Sequence, residues 1–209
     1  MPYSTKWCLL ISGAGTTAMN MWEATQSGEL KGIAEIACVI ASRNDTKGIE
    51  NLKALGFPEE RIKVFSPKAF ASREDWARAM VAFTKEHNAT HFAQLGWLLL
   101  THPIFLQHFG KKGFNLHPAP LDPGHKDFGG KRMYGLAAVT ARLKFVQATH
   151  HLTPWTEICT HLVTEKYDEG LLVGVFRIPI TKTTTANALM QESLQAGYKL
   201  TIWTIKAFS

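Results

Sequence analysis

The sequence predicts an α/β fold: a doubly wound, mainly parallel open sheet with an antiparallel strand pair near the C-terminus, in one domain covering residues 1–209. Three observations carry this. Short β-rich runs alternate with longer helix-like segments from Trp7 to about Leu95, the pattern of strands joined by helical crossovers. The first run empties into a glycine-containing turn, Ser12-Gly13-Ala14-Gly15-Thr16-Thr17, that opens a helix. Two later strand-like runs follow one another across a short loop, which suits an antiparallel pair added to the sheet.

Taken in order, strands are expected at Trp7–Ile11, Ile36–Ala41, Ile62–Phe65 and His91–Leu95, with helices at Thr17–Gln26, Gly48–Leu55 and Arg73–Glu86 between them. A fifth strand, Phe114–His117, ends in Asn115-Leu116-His117-Pro118, and the apolar stretch Trp97–Leu100 before it reads as a core element or a pocket wall. The segment from Pro118 to Gly135 is rich in glycine and proline and reads as a long irregular loop, a feature that in a compact domain usually serves function. A helix over Met133–Leu143, strands over Glu157–Thr164 and Leu171–Ile180, and a closing helix over Ala186–Lys206 complete the chain.

With 45% hydrophobic and 19% charged residues, a chain of 209 residues can bury a core without staples. A net charge of +6 attracts nucleic acid or small anions, but the lysines and arginines are dispersed, with no basic stripe interleaved with aromatics. A phosphorylated small molecule fits that distribution better than nucleic acid. Cys8, Cys38 and Cys159 are odd in number and form no Cys-x-x-Cys pair, so they read as buried reduced thiols. His150-His151 has no third ligand at metal spacing, and no metal is expected. The absence of a signal core or a long apolar span points to a cytoplasmic protein without a membrane partner, its oligomeric state unspecified.

The turn at Gly13–Thr17 admits three uses. The N–H groups and positive dipole of a helix start attract an anion, which makes Gly13, Gly15, Thr16 and Thr17 candidates for phosphate binding. Written as G-x-G-x-x-A, the same residues approach a dinucleotide fingerprint, and Arg43 after the second strand is placed where enzymes of that kind meet a 2′-phosphate. Any fold of this class also needs glycine there for packing alone.

Asn115 and His117 are two residues apart, so on a strand they share one side, at the carboxyl end where open α/β sheets bind ligands. An amide N–H and an imidazole can both donate to an oxygen on which negative charge is growing, as in acyl transfer. Asp168, far away in sequence within Tyr167-Asp168-Glu169-Gly170, reads either as a turn former or as the carboxylate that tunes the histidine.

These pieces together resemble the folate-dependent formyltransferases, nearest to the phosphoribosylglycinamide formyltransferases of purine synthesis. The likeness runs through Leu-Ile-Ser-Gly-Ala-Gly-Thr-Thr, Ser72-Arg73-Glu74, Leu95-Gly96-Trp97, Asn115-Leu116-His117-Pro118 and His161-Leu162-Val163-Thr164-Glu165 leading to Asp168-x-Gly170. It implies a Rossmann-like formyltransferase fold, 10-formyltetrahydrofolate as co-substrate, Asn115, His117 and Asp168 as catalytic trio, and a charged His117 held by Asp168. It further implies that Leu98, Leu99, Leu100, Val163, Thr164 and Tyr167 hold the folate and that Arg73 joins the phosphate loop on the acceptor.

Two departures bear on the acceptor amine. The family's ribose-holding Glu-His pair in the last helix is expected to align with Gly197-Tyr198, and the loop Asp122–Gly130 replaces a shorter segment. Glycinamide ribonucleotide remains the favoured acceptor, with an amino sugar nucleotide as the alternative. From a different class, the chain could be an inactive folate- or nucleotide-binding homologue.

Overall fold

Strand β1 (Thr5–Ile11) builds two cores at once. In the computed structural model, which describes residues 5–121, 128–150 and 152–209, Trp7, Leu9 and Ile11 pack with Ala18 and Met21 of helix α1 (Thr16–Gln26). Cys8 and Leu10 point the other way, onto Trp76 and Met80 of helix α3 (Arg73–Glu86). Strand side chains alternate with period two, so an unbroken apolar run requires helices on both faces. Strand β2 (Ala34–Ala41) keeps this alternation except that neighbouring Ala37 and Cys38 both face the α3 side. The pairing jumps there, from Trp7↔Ile36 to Cys8↔Cys38, as an extra residue in one strand demands.

Helix α2 (Lys47–Ala54), strand β3 (Ile62–Val64), strand β4 (His91–Gln94), helix α4 (Pro103–Phe109), strand β5 (Gly113–His117), helix α5 (Leu136–Ala148), strands β6 (Trp155–Leu162) and β7 (Leu172–Pro179) and helix α6 (Ala186–Phe208) follow. The described strands form one sheet in the order β3-β2-β1-β4-β5-β6-β7, parallel through β5, with β6 antiparallel to both neighbours. The strand order reverses between β1 and β4, the point at which a crevice opens in such sheets. β7 is an edge strand, and Val175 and Phe176 on it are exposed, as is Trp203 of α6.

Helix α4 is absent from the sequence expectation. Its start is set by Pro103 at the first turn and by His102, whose Nδ1 accepts from Ile104 N–H, and Phe105 and Phe109 bury its inner face. Helix α5 begins at Leu136 rather than Met133 and runs on to Ala148. It is anchored by Arg142, fully buried, which donates to the Trp155 carbonyl at 2.6 Å and lies over the Trp155 ring. Of the expected loop, residues 122–127 lie outside the described residues, as does His151. The three cysteines are buried and unbridged, and no described helix is long and apolar enough to cross a membrane.

At the start of β4, His91 is buried against the Trp7 ring, 4.9 Å between centroids, and its Nδ1 shares a 2.8 Å hydrogen bond with the Thr90 hydroxyl. Burial, reinforced by Lys112, pulls its pKa down to about 4. The unfolded chain takes up this proton near pH 6.5 and the folded chain only near 4, so the stabilisation is present above 6.5 and lost as pH falls through that window. Tm is expected to decline between these limits, and less steeply in His91→Phe; parallel declines would remove His91 as a cause.

Candidate active site

β5 delivers Asn115 and His117 to one side of the sheet end, and the antiparallel ladder with β6 sets His161 directly opposite Asn115 and Cys159 opposite His117. The Asn115 amide nitrogen donates to Asp168 Oδ1 at 3.2 Å and lies 3.0 Å from His161 Nε2. His161 Nδ1 is 3.0 Å from the Leu162 carbonyl. His161 was not singled out as a site residue from sequence. The available signal was its place on the strand expected beside β5, but facing pairs need a register, which sequence does not supply.

Asp168 sits in the loop between β6 and β7 with a left-handed backbone, φ 54°. A methyl group at Gly170 would fall on the Leu162 carbonyl oxygen, so glycine alone lets the loop lie flat against the end of β6 and aim Asp168 inward. The carboxylate accepts the Gly130 N–H at 2.8 Å, lies 3.3 Å from His161 Nε2 and 3.7 Å from His117 Nδ1. Burial by itself pushes this carboxyl up, but the His161 hydrogen bond, the nearby His117 and the Gly130 N–H outweigh it and hold the group below its ordinary value.

His117 is 3% exposed and donates its Nε2–H to the Phe128 carbonyl at 2.6 Å. Burial lowers its pKa more than Asp168 and the Phe128 carbonyl raise it. Burial thus favours the neutral ring, against the pull of a carboxylate 3.7 Å away. Phe128 and Gly130, at the end of the unusual loop, thus contact His117 and Asp168 through backbone groups. The Phe128 ring is buried, edge-on to Phe145 at 5.5 Å and beside the Arg142 guanidinium.

A cavity of about 430 Å³ opens at the carboxyl ends of β1, β4 and β5. Of the residues expected in the site, Asn115, His117 and Asp168, then Gly13, Gly15, Thr16 and Thr17, and then Leu98, Leu99, Leu100, Val163, Thr164 and Tyr167 all line it. Leu98–Leu100 and Val163 give it apolar lining, and the start of α1 and part of helix α6 line it as well.

Arg73 does not line the cavity. It donates to the Leu100 carbonyl at 2.9 Å and stacks on Trp76 at 4.1 Å, bracing the leucine wall from behind. Arg43 is likewise outside, paired with Asp45 at 3.2 Å and donating to the Ser12 carbonyl, which leaves the dinucleotide reading without its phosphate partner. Gly15 caps α1 with φ 68°, and a Cβ there would come 2.9 Å from Gly48 Cα, so this glycine serves the close approach of α1 and α2. Neither Gly197 nor Tyr198 lines the cavity: Gly197 is buried against Ile158 and Leu116, and α6 reaches the cavity through Met190, Ser193 and Leu194.

The family model described as formyl transferase matches residues 5–205. Phosphoribosylglycinamide formyltransferase of Haemophilus influenzae is 25% identical over 204 residues, spanning 98% of this chain and 87% of that protein. The chloroplastic phosphoribosylglycinamide formyltransferase of Arabidopsis thaliana is 25% identical over 208 residues, 99% of this chain and 66% of its own length. The crystal structure of glycinamide ribonucleotide transformylase 1 from Symbiobacterium toebii shares the fold with a TM-score of 0.82 at 22% identity, covering 100% of this chain and 89% of that one.

The glycine geometry is testable by thermal unfolding. Gly170→Ala must displace either Leu162 or the Asp168 loop and is expected to lower stability by about 1–3 kcal/mol. Gly13→Ala meets open space and is expected to stay within about 0.5 kcal/mol of the parent. Equal Tm values for the two variants would refute the close approach at Gly170.

Proposed function

The chain belongs to the formyl transferase family, and on that footing we propose that it transfers a formyl group from 10-formyltetrahydrofolate to the primary amine of a small phosphorylated acceptor. Glycinamide ribonucleotide is the first acceptor to test, because the relatives above are named for that activity. The observation that carries the reading is one cavity lined by Asn115, His117 and Asp168 together with the Gly13–Thr17 turn and the leucine segment. Leu98, Leu99, Leu100 and Val163 give it an apolar surface suited to a flat heteroaromatic ring. The first N–H groups of α1, at Thr16 and Thr17, have no partner within the helix and suit a phosphate. The three buried, unbridged cysteines suit a reducing compartment such as the cytoplasm.

Bound against the leucine segment, 10-formyltetrahydrofolate would supply the formyl carbon. As the acceptor amine adds to that carbon, the formyl oxygen becomes an anion and competes for the N–H groups of Asn115 and His117. A charge-assisted hydrogen bond is about twice as strong as a neutral one, so an oxyanion outbids the Phe128 carbonyl for the Nε2–H of His117. The amine's surplus proton is taken up at Nδ1 of His117, where the Asp168 carboxylate 3.7 Å away favours the imidazolium, and passes on through water to the departing folate nitrogen.

Incubation with 10-formyltetrahydrofolate and a panel of amines, followed by release of tetrahydrofolate, tests this directly. Turnover with glycinamide ribonucleotide is expected, and His117→Ala and Asp168→Asn are each expected to lower it by about 10²–10³-fold or more while the variants remain folded. Near-parental turnover in either variant would sink the assigned roles. No release with any amine would leave a folate-binding homologue.

A further inference from the structure

Three polar atoms meet where β5, β6 and the loop after β6 converge, and their hydrogens do not suffice to bond each to the other two. Asn115 Nδ2 is 3.0 Å from His161 Nε2 and 3.2 Å from Asp168 Oδ1, and His161 Nε2 is 3.3 Å from that same Asp168 oxygen. The other ring nitrogen of His161, Nδ1, lies 3.0 Å from the Leu162 carbonyl, which can only accept, so Nδ1 carries a hydrogen. What Nε2 does is then decided by a single proton.

With Nε2 bare, the ring is neutral and accepts from Asn115. The amide then gives one N–H to His161 and one to Asp168, which leaves none for a bound molecule, and the Nε2 lone pair faces a carboxylate oxygen at 3.3 Å. With Nε2 protonated, the ring is an imidazolium that donates to Asp168, a charge-assisted bond about twice as strong as a neutral one. It can no longer accept from Asn115, so the amide keeps its bond to Asp168 and its second N–H is released. Asn115, His161 and Asp168 all line the cavity, and Asn115 is only half-buried, whereas His161 is 2% exposed.

From this we propose that His161 is a positioning residue for formyl transfer: its doubly protonated form, paired with Asp168, frees the second N–H of Asn115 for the formyl oxygen, and loss of that proton withdraws it. The inference rests on the formyl-transfer reading and adds to the trio a residue that acts through Asn115. The titratable groups against His161 among the described residues are Asp168, from the loop after β6, and His117, from β5. Its β7 neighbour is Leu172, and Lys131, Arg132 and Lys166 line the cavity it shares. The two histidines have opposite requirements, since His117 receives a proton at Nδ1 while His161 must already hold one at Nε2. Turnover is therefore lost on the acid side through His117 and on the alkaline side through His161.

The test measures kcat and KM against pH with 10-formyltetrahydrofolate and glycinamide ribonucleotide in the parent, His161→Gln and His161→Leu, each variant checked for folding by its Tm. Alongside it, NMR follows the His161 ring nitrogens and the Asn115 side-chain amide through a pH titration of the free protein. In the parent, kcat is expected to fall as pH rises through the His161 titration, with the Asn115 amide signals shifting at the same midpoint. His161→Leu is expected to lower kcat by about tenfold or more, toward the roughly 10²–10³ that losing an oxyanion donor costs, with KM little changed. Gln can donate to Asp168 but does not titrate, so His161→Gln is expected to recover most of that loss and to lack the alkaline fall. An alkaline fall that persists in His161→Gln, a kcat that His161→Leu leaves unchanged, or Asn115 signals that ignore the His161 titration overturns the inference. Absence of turnover with any amine in the parent overturns the formyl-transfer reading beneath it, and the NMR titration still decides whether His161 controls the Asn115 amide.

Discussion

The site depends on the Asp168 carboxylate being held in place. A carboxylate removed from water costs several kcal/mol unless its lone pairs are met. Here they are met from separate segments: Gly130 from the long loop, Asn115 from β5 and His161 from β6, with His117 close by. Each supplier has its own reason to be where it is. The β5–β6 ladder fixes Asn115 against His161, and the crowding at Gly170 fixes the direction from which Asp168 enters. Burial acts on the imidazole that shares this pocket as it does on the carboxylate, disfavouring the charged form of each.

The strands were legible in the sequence because period-two burial and continuous apolar runs are local signals, and β1, β2 and β5 stand within a few residues of expectation. Helix α4 was not, although Pro103 and Gly110 mark its ends, because it is short and follows an apolar stretch that reads as wall. The start of α5 slipped because Gly135, with φ 51°, breaks the backbone there, and residues 131–134 turn toward the cavity instead. In the site, Asn115 and His117 announce their shared side by spacing alone, while Asp168 needed the family likeness because its contact with them is tertiary. The Phe128 carbonyl and the Gly130 N–H were beyond reach: backbone groups are the same in every residue, so nothing in their identity marks them.

The architecture separates chemistry from selectivity. Asn115, His117 and His161 come from the sheet, whereas the rest of the cavity lining is completed by α6, by the start of α1 and by the leucine segment that Arg73 braces. A strand end is stiff, since each residue is pinned by a ladder on both sides, while a helix can exchange surface side chains without moving its neighbours. On α6 burial tells the two faces apart, with Gly197 facing the sheet and Leu194 the cavity.

The far edge of the sheet carries a different consequence. Val175 and Phe176 on β7 lie exposed beside Trp203, on a strand whose outer backbone groups are available for pairing. What keeps such surfaces apart in dilute buffer is mutual repulsion between molecules of net charge +6. Repulsion of that kind is screened within about 8 Å at 0.15 M salt, whereas attraction between apolar edges is not. Colloidal behaviour is thus set by ionic strength, and concentrated stocks are better kept in low salt, at a pH well below the isoelectric point of about 9.3.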